Sequence, residues 1–220
     1  MAIILNIDTA VESASLCLSR DGEKIGFDSN ERQKDQASWM HAAIQRIMMD
    51  AGLELKELDA VAVTIGPGSY TGLRIGLAAA KGLCFALNIP LITIPTLEMM
   101  AFATIHEDTD LFGPLIDARR MEVFAGIYDR DLQPVQEPAA MVIDENSFQH
   151  LIATRRILFS GNGSKKLQKV LCHRNVSYSD IRATAEHMKA LSDKAFRENK
   201  FADLAYTEPL YLKEFHTTAR

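Results

Sequence analysis

Gly66-Pro67-Gly68-Ser69-Tyr70-Thr71-Gly72-Leu73-Arg74-Ile75-Gly76 follows the apolar run Leu58 to Ile65 and opens an amphipathic segment that lasts to Leu87. Four glycines and a proline where a strand gives way to a helix serve backbone geometry. Gly66 and Gly68 reach angles closed to other residues, Pro67 stiffens the turn, and Ser69 or Thr71 can cap the helix that follows. Such a helix start offers N–H groups to an anion or a partner. The spacing is neither that of a Walker A loop nor Gly-x-Gly-x-x-Gly, so phosphate binding does not follow from the motif. The other reading is a tight strand-to-helix turn that lets the backbone pack closely.

Working outward, Ala2 to Thr9 reads as a buried strand, Ser13 to Ser19 as a second and Glu23 to Ser29 as a third after the Asp21-Gly22 turn. Gln36 to Ala51 reads as a helix with Asp35 as N-cap and Gly52 beyond its end. Thr71 to Leu87 is a helix stopped by Asn88 and Pro90, Leu91 to Ile94 a strand, and Thr96 to about Thr104 a short helix. The second half repeats this order. Pro114–Asp117, Val123–Tyr128 and Ala140–Ile143 are strands, Glu145–Ile152 a helix, Arg156–Ser160 a strand and Ser164–Leu171 a helix. A strand near Val176 and a helix from Ile181 to Glu198 complete it. Two copies of one mixed α/β pattern, each with an aspartate closing its first strand (Asp8 and Asp117), predict a duplicated α/β fold. The predicted subdomains are 1–105 and 106–220.

An apolar fraction of 47% and a charged fraction of 24% fit a folded globular chain. The run Leu73 to Leu87 contains Arg74 and Lys81 and is too short for a bilayer, and the first strand is entered at once with no basic region or cleavage site. The expectation is a cytoplasmic protein with no membrane partner. Cys17, Cys84 and Cys172 are odd in number and widely spaced, which suits buried free thiols. Residues 1–149 carry 11 Lys and Arg against 22 Asp and Glu, and residues 150–220 carry 13 against 7. An acidic body therefore bears a basic end, read either as a nucleic-acid contact or as a solvated face without stacking aromatics.

Five segments carry a family resemblance: Ile4-Leu5-Asn6-Ile7-Asp8-Thr9-Ala10, the Gly66 to Gly76 stretch, Asp117-Ala118-Arg119-Arg120-Met121-Glu122-Val123-Phe124, Ser160-Gly161-Asn162-Gly163 and Pro209-Leu210-Tyr211-Leu212-Lys213. Over nearly its whole length the chain resembles the actin-like ATPase superfamily, and within it the TsaB/TsaD group of bacterial tRNA threonylcarbamoyladenosine biosynthesis proteins, on the YeaZ-type, TsaB side. The resemblance implies two actin-like (ribonuclease H-like) subdomains, each a mixed five-stranded sheet with flanking helices. It also implies a non-catalytic subunit that pairs with a TsaD-type transferase and a TsaE-type ATPase, forms a homodimer when alone, and meets tRNA through the complex.

In the TsaD group a His-x-x-x-His pair on the first long helix holds a metal. The matching positions here are Gln36 and Met40, and His41 points about 100° away around the helix. His106, His150, His173, His187 and His216 are scattered. No metal, cofactor or catalytic residue is therefore expected. Asp8, Asp117, Gly161 and Gly163 occupy the places of nucleotide-binding residues in actin-like enzymes, which leaves a small-molecule kinase or ATPase as the alternative. Metallopeptidase chemistry lacks a His-Glu-x-x-His motif.

Two helices are candidates for partner binding: Met40, His41, Ile44, Ile47 and Met48 on the first, where Trp39, Ala43 and Met49 widen the apolar side, and Arg74 and Lys81 on the second, in a face with Ala78 and Phe85, with Gly72, Gly76 and Ala80 as a small-residue stripe that would admit another helix. The competing reading packs both helices wholly within the domain.

Overall fold

A computed structural model describes residues 1–31 and 35–213. Two compact units emerge, one of residues Met1–Met99 with Ala183–Pro209, the other of residues Met100–Arg182 with the chain from Leu210 on. No helix among the described residues is long and apolar enough to cross a membrane.

In the first unit, β1 (Ile3–Asp8), β2 (Ala14–Arg20), β3 (Glu23–Asn30), β4 (Ala60–Gly66) and β5 (Leu91–Pro95) form a sheet in the order β3-β2-β1-β4-β5. β1 pairs antiparallel with β2 (Ile7 opposite Leu16) and parallel with β4 (Ile7 beside Val63). The first three strands are a meander; β4 and β5 are joined by a helix, as parallel neighbours require.

Helices α1 (Gln36–Asp50) and α2 (Tyr70–Leu87) lie on the face built by Leu5, Ile7, Leu16, Leu18, Val61 and Val63. α1 ends where Gly52, at φ 67°, takes the left-handed turn that a side chain disfavours. Asp35 stands at its N-cap as expected but makes no side-chain capping bond. α2 ends at Asn88, which adopts φ 55° and donates its N–H to Cys84. α3 (Thr96–Phe102) follows β5.

The second unit repeats the order as β10-β9-β6-β7-β8, with β6 (Leu111–Asp117), β7 (Glu122–Tyr128), β8 (Pro134–Val142), β9 (Ile157–Ser160) and β10 (Val176–Tyr178). β6 again pairs antiparallel with the next strand and parallel with the fourth. β8 begins earlier than expected and contains Pro134 and Pro138, which its edge position tolerates. Helices α4 (Gln149–Ile152) and α5 (Ser164–Leu167) are single turns. α4 is shorter than expected because Phe148 sits at φ 63°, outside helical space, next to a turn held by Ser147 and Asp144.

The expected boundary at 105/106 needs correction. α6 (Lys189–Arg197) belongs to the first unit, not the second. Its sequence does carry a reason: Ser192 donates its hydroxyl to Asn6 Oδ1 at 2.6 Å, and Asn6 donates in turn to Cys17 O and Ser19 Oγ. Just before α6, Ala185 N donates to Ser15 Oγ. These polar side chains line the sheet face opposite α1 and α2. Burying them unpaired would be unfavourable, so the last helix and the first two strands satisfy one another.

Candidate functional site

The β4–α2 turn is built against the end of β1. Gly66 has φ 125° and its peptide bond to Pro67 is cis. Ser69 Oγ caps α2 by accepting from Gly72 N at 3.3 Å, while Thr71 is exposed. Ser69 N donates to Ala10 O at 2.7 Å, and Thr9 Oγ1 donates to Gly72 O at 2.7 Å. A Cβ on Gly68, Gly72 or Gly76 would lie 2.3, 2.0 or 2.3 Å from Ala10 O, Thr9 O or Thr9 Oγ1. The glycines thus let α2 touch the chain that leaves β1. Gly72 and Gly76 are covered by this unit's own Thr9, which overturns the expectation that their stripe admits a foreign helix.

Asp8, the last residue of β1, is fully buried. Its Oδ1 accepts from Ala10 N at 3.1 Å and Thr64 Oγ1 at 2.9 Å, and Oδ2 has no hydrogen-bond partner. Burial pushes its pKa up to about 6, against the lowering effect of those two donors.

Asp117, at the corresponding end of β6, is partly exposed. Its carboxylate pairs with Lys166 Nζ at 2.6 Å and accepts from Arg119 N at 2.7 Å, while its own N–H donates to Asn162 Oδ1. Partial burial would raise its pKa, but the Lys166 ammonium and the Arg119 N–H hold it below the usual carboxylate range.

Gly161, at φ 85°, and Gly163 are packed on β6. A Cβ on Gly161 would come within 2.5 Å of Leu115 O, and Gly163 N donates to that same oxygen. Asp8 thus presents no oxygen to solvent, and Asp117 is already neutralised. No group of three His, Cys, Asp or Glu side chains gathers as a metal site among the described residues. Cys17 and Cys84 are buried as expected, but Cys172 is exposed. His216 lies outside the described residues.

Between β6 and β7 the backbone makes an unusual turn. Arg119 and Arg120 adopt φ 70° and 46°, a conformation that costs a residue with a side chain about 1–2 kcal/mol. Ala118 N and Glu122 N close the turn by donating to Glu122 O and Arg119 O.

The helix surfaces divide differently from the sequence-based expectation. Met40, Ile44, Ile47 and Met48 are buried against Leu5, Leu16 and Leu18. Their assignment to a partner surface is corrected: they form this unit's core, because the stripe they make is the one that meets the sheet. His41 is exposed, as is Arg74, whose guanidinium stacks over the Tyr70 ring at 4.0 Å. Lys81 donates to Ala205 O at 3.2 Å and so ties down the stretch after α6. Outward on α1 are Ala42, Gln45 and Met49, the last 73% exposed, and on α2 Thr71, Ala78, Gly82 and Phe85, which is 81% exposed. Met49 and Phe85, read in the sequence as part of these surfaces, are the large apolar side chains that α1 and α2 leave bare. The signal for Phe85 is the spacing 71, 74, 78, 81, 85, the polar edge of α2 with one aromatic residue in it.

The family model of TsaD, described as tRNA N6-adenosine threonylcarbamoyltransferase, matches residues 29–219. The tRNA threonylcarbamoyladenosine biosynthesis protein TsaB of Bacillus subtilis (strain 168) is 28% identical over 215 residues, covering 96% of this chain and 93% of that protein. The TsaB of Escherichia coli (strain K12) is 29% identical over 220 residues, covering 96% and 94%. The solved structure of YeaZ from Pseudomonas aeruginosa superposes with a TM-score of 0.85 at 24% identity, covering 96% of this chain and all of that one, a likeness of fold alone. The two mixed sheets with flanking helices are those of the actin-like ATPase fold. The chain belongs to the family that the TsaD model describes, and within it is a TsaB/YeaZ-type protein.

Proposed function

We propose that this chain is a non-catalytic subunit of the machinery that forms N6-threonylcarbamoyladenosine at the adenosine beside the anticodon of tRNAs reading codons that start with adenine. It binds and supports a TsaD-type transferase together with a TsaE-type ATPase, and pairs with a second copy of itself when the transferase is absent. The reading draws on the TsaB relatives that align over almost the whole chain. The single observation that carries it is the outer side of α1 and α2, where Phe85 and Met49 stand bare in water on a protein whose two actin-like carboxylates are engaged internally. Large exposed apolar groups on neighbouring helices suit a protein interface. His41, Arg74 and Lys81 form the polar margin of this surface.

The test mixes this chain with the transferase, the ATPase and threonylcarbamoyl-adenylate, and scores tRNA modification with and without it. Phe85→Glu and Met49→Glu are expected to lose co-elution with the transferase while keeping the wild-type unfolding midpoint, since neither side chain is in the core. Unchanged co-elution of both variants would remove α1 and α2 from the interface. Tight ATP binding with turnover by the isolated chain would favour the kinase or ATPase reading instead.

A further inference from the structure

The turn between β6 and β7 holds two arginines in the least suitable backbone for them. Glycine or asparagine suits left-handed angles, yet Arg119 and Arg120 occupy them in succession, at φ 70° and 46°, and both are exposed. Such a conformation persists only where its surroundings fix it. Here Asp117 accepts from Arg119 N, Asn162 holds Asp117 N, and two backbone bonds close the turn.

The charges below the turn are arranged so that the guanidiniums stay unengaged. Lys166 Nζ reaches Asp117 Oδ1 at 2.6 Å and Glu122 O at 3.2 Å, and Lys213 pairs with the Glu122 carboxylate. The two acids at the base of the turn are each taken by an ammonium group. Neither guanidinium makes a hydrogen bond or ion pair among the described residues, although Arg120 contributes to the positive field at Glu122. Four cations thus face two carboxylates, and Lys165 on α5 is exposed as well.

We propose that Arg119 and Arg120 grip the phosphodiester backbone of tRNA, with the β6–β7 turn as a rigid mount. This rests on the proposed role in tRNA modification. A guanidinium fork matches two phosphate oxygens, and a pre-set turn loses little freedom on binding. No aromatic side chain flanks the arginines in the turn, so the contact positions the RNA and reads no base.

The structure itself supplies the control. Arg119→Gly with Arg120→Gly fits the backbone at least as well as arginine does, so the double variant should fold and join the transferase like wild type. Its assembled complex should bind substrate tRNA about tenfold or more weakly at moderate salt, and the slope of log affinity against log salt should shrink by between about 1 and 2, as for two lost phosphate contacts. Arg119→Lys with Arg120→Lys should recover part of the affinity and most of the slope. Equal tRNA affinity and slope in wild type and the glycine variant would overturn the proposal while leaving the function standing. Loss of the transferase from the glycine variant would also overturn it, by making the turn a protein contact. A wild-type chain that neither joins the transferase nor supports modification would overturn the functional reading, and this inference with it.

Discussion

Asp8 and Asp117 end the first strands of two sheets with the same pairing order, yet their surroundings treat the same carboxyl group in opposite ways. Around Asp8, an 18-residue helix starts at a turn whose glycines allow backbone to touch backbone, and the acid is sealed in with one unpartnered oxygen. Around Asp117 the helix is a single turn, and its Lys166 answers the carboxylate at the surface. Strand topology fixes where a carboxylate lands. What packs on it fixes its charge, and the first unit chose close packing where the second chose a counter-ion.

The largest expected effect tests the close contact between α2 and the chain that leaves β1. Gly72→Ala puts a methyl group about 2.0 Å from Thr9 O, a backbone atom that cannot swing aside, and should cost about 3 kcal/mol or more by denaturant unfolding. Gly82→Ala, in the same helix with nothing within 4 Å of the added Cβ, should instead stabilise by up to about 1 kcal/mol. Equal tolerance of both substitutions would break the picture of a closed corner.

Next in size is the buried acid. Because its folded pKa of about 6 lies above the ordinary 3.8, the folded protein binds that proton more tightly than the unfolded chain, and the stabilisation present below pH 4 is lost as pH rises through about 6. Asp8→Asn, which keeps an oxygen for Ala10 N and Thr64, should be more stable than wild type above pH 6 by up to roughly 3 kcal/mol, at 1.36 kcal/mol per pH unit. The gap should close toward pH 4. His187, whose burial lowers its pKa, favours the opposite trend below pH 6.5, but it does so in both proteins and drops out of their difference. A gap that does not change with pH would show that Asp8 is not held by burial.

The smallest effect belongs to the other corner. Asp117 has a lowered pKa, so its contribution is present above the ordinary carboxylate range and disappears as pH falls through the folded value. With Lys166 and Asp117 side chains 18% and 38% exposed, Lys166→Met should cost less than about 1 kcal/mol near neutral pH and nothing in strong acid. Opposite pH trends for the two aspartates would sharpen the contrast. Parallel trends would erase it.

Much of the fold was legible because it rests on local pattern. The meander, the glycine turn and the αL stop at Asn88 depend on residues near one another in sequence, and they stand within a residue or two of the expected places. The sides of α1 were less legible. A Met and Ile stripe looks the same whether it meets its own sheet or another protein, and only the position of Leu5 and Leu16 across the gap decides for the core. β8 was read only from Ala140, and its earlier part contains Pro134 and Pro138, whose tolerance depends on its place at a sheet edge. The path of the last helix was illegible for a plainer reason: Ser192 meets Asn6 and Ala185, just before the helix, meets Ser15, partners that lie 186 and 170 positions away along the chain. The strained arginine turn also escaped notice, since nothing in Asp117-Ala118-Arg119-Arg120 announces a positive φ.

The bond from Ser192 to Asn6 has a temporal meaning. Strands that leave the ribosome first must wait, one face bare, while the residues of the second unit up to Arg182 are made, and are covered only when the stretch from Ala183 emerges. The unit that starts first therefore stays incomplete while most of the second is made, and a ribosome that stops short of α6 releases a chain whose oldest part is its least protected.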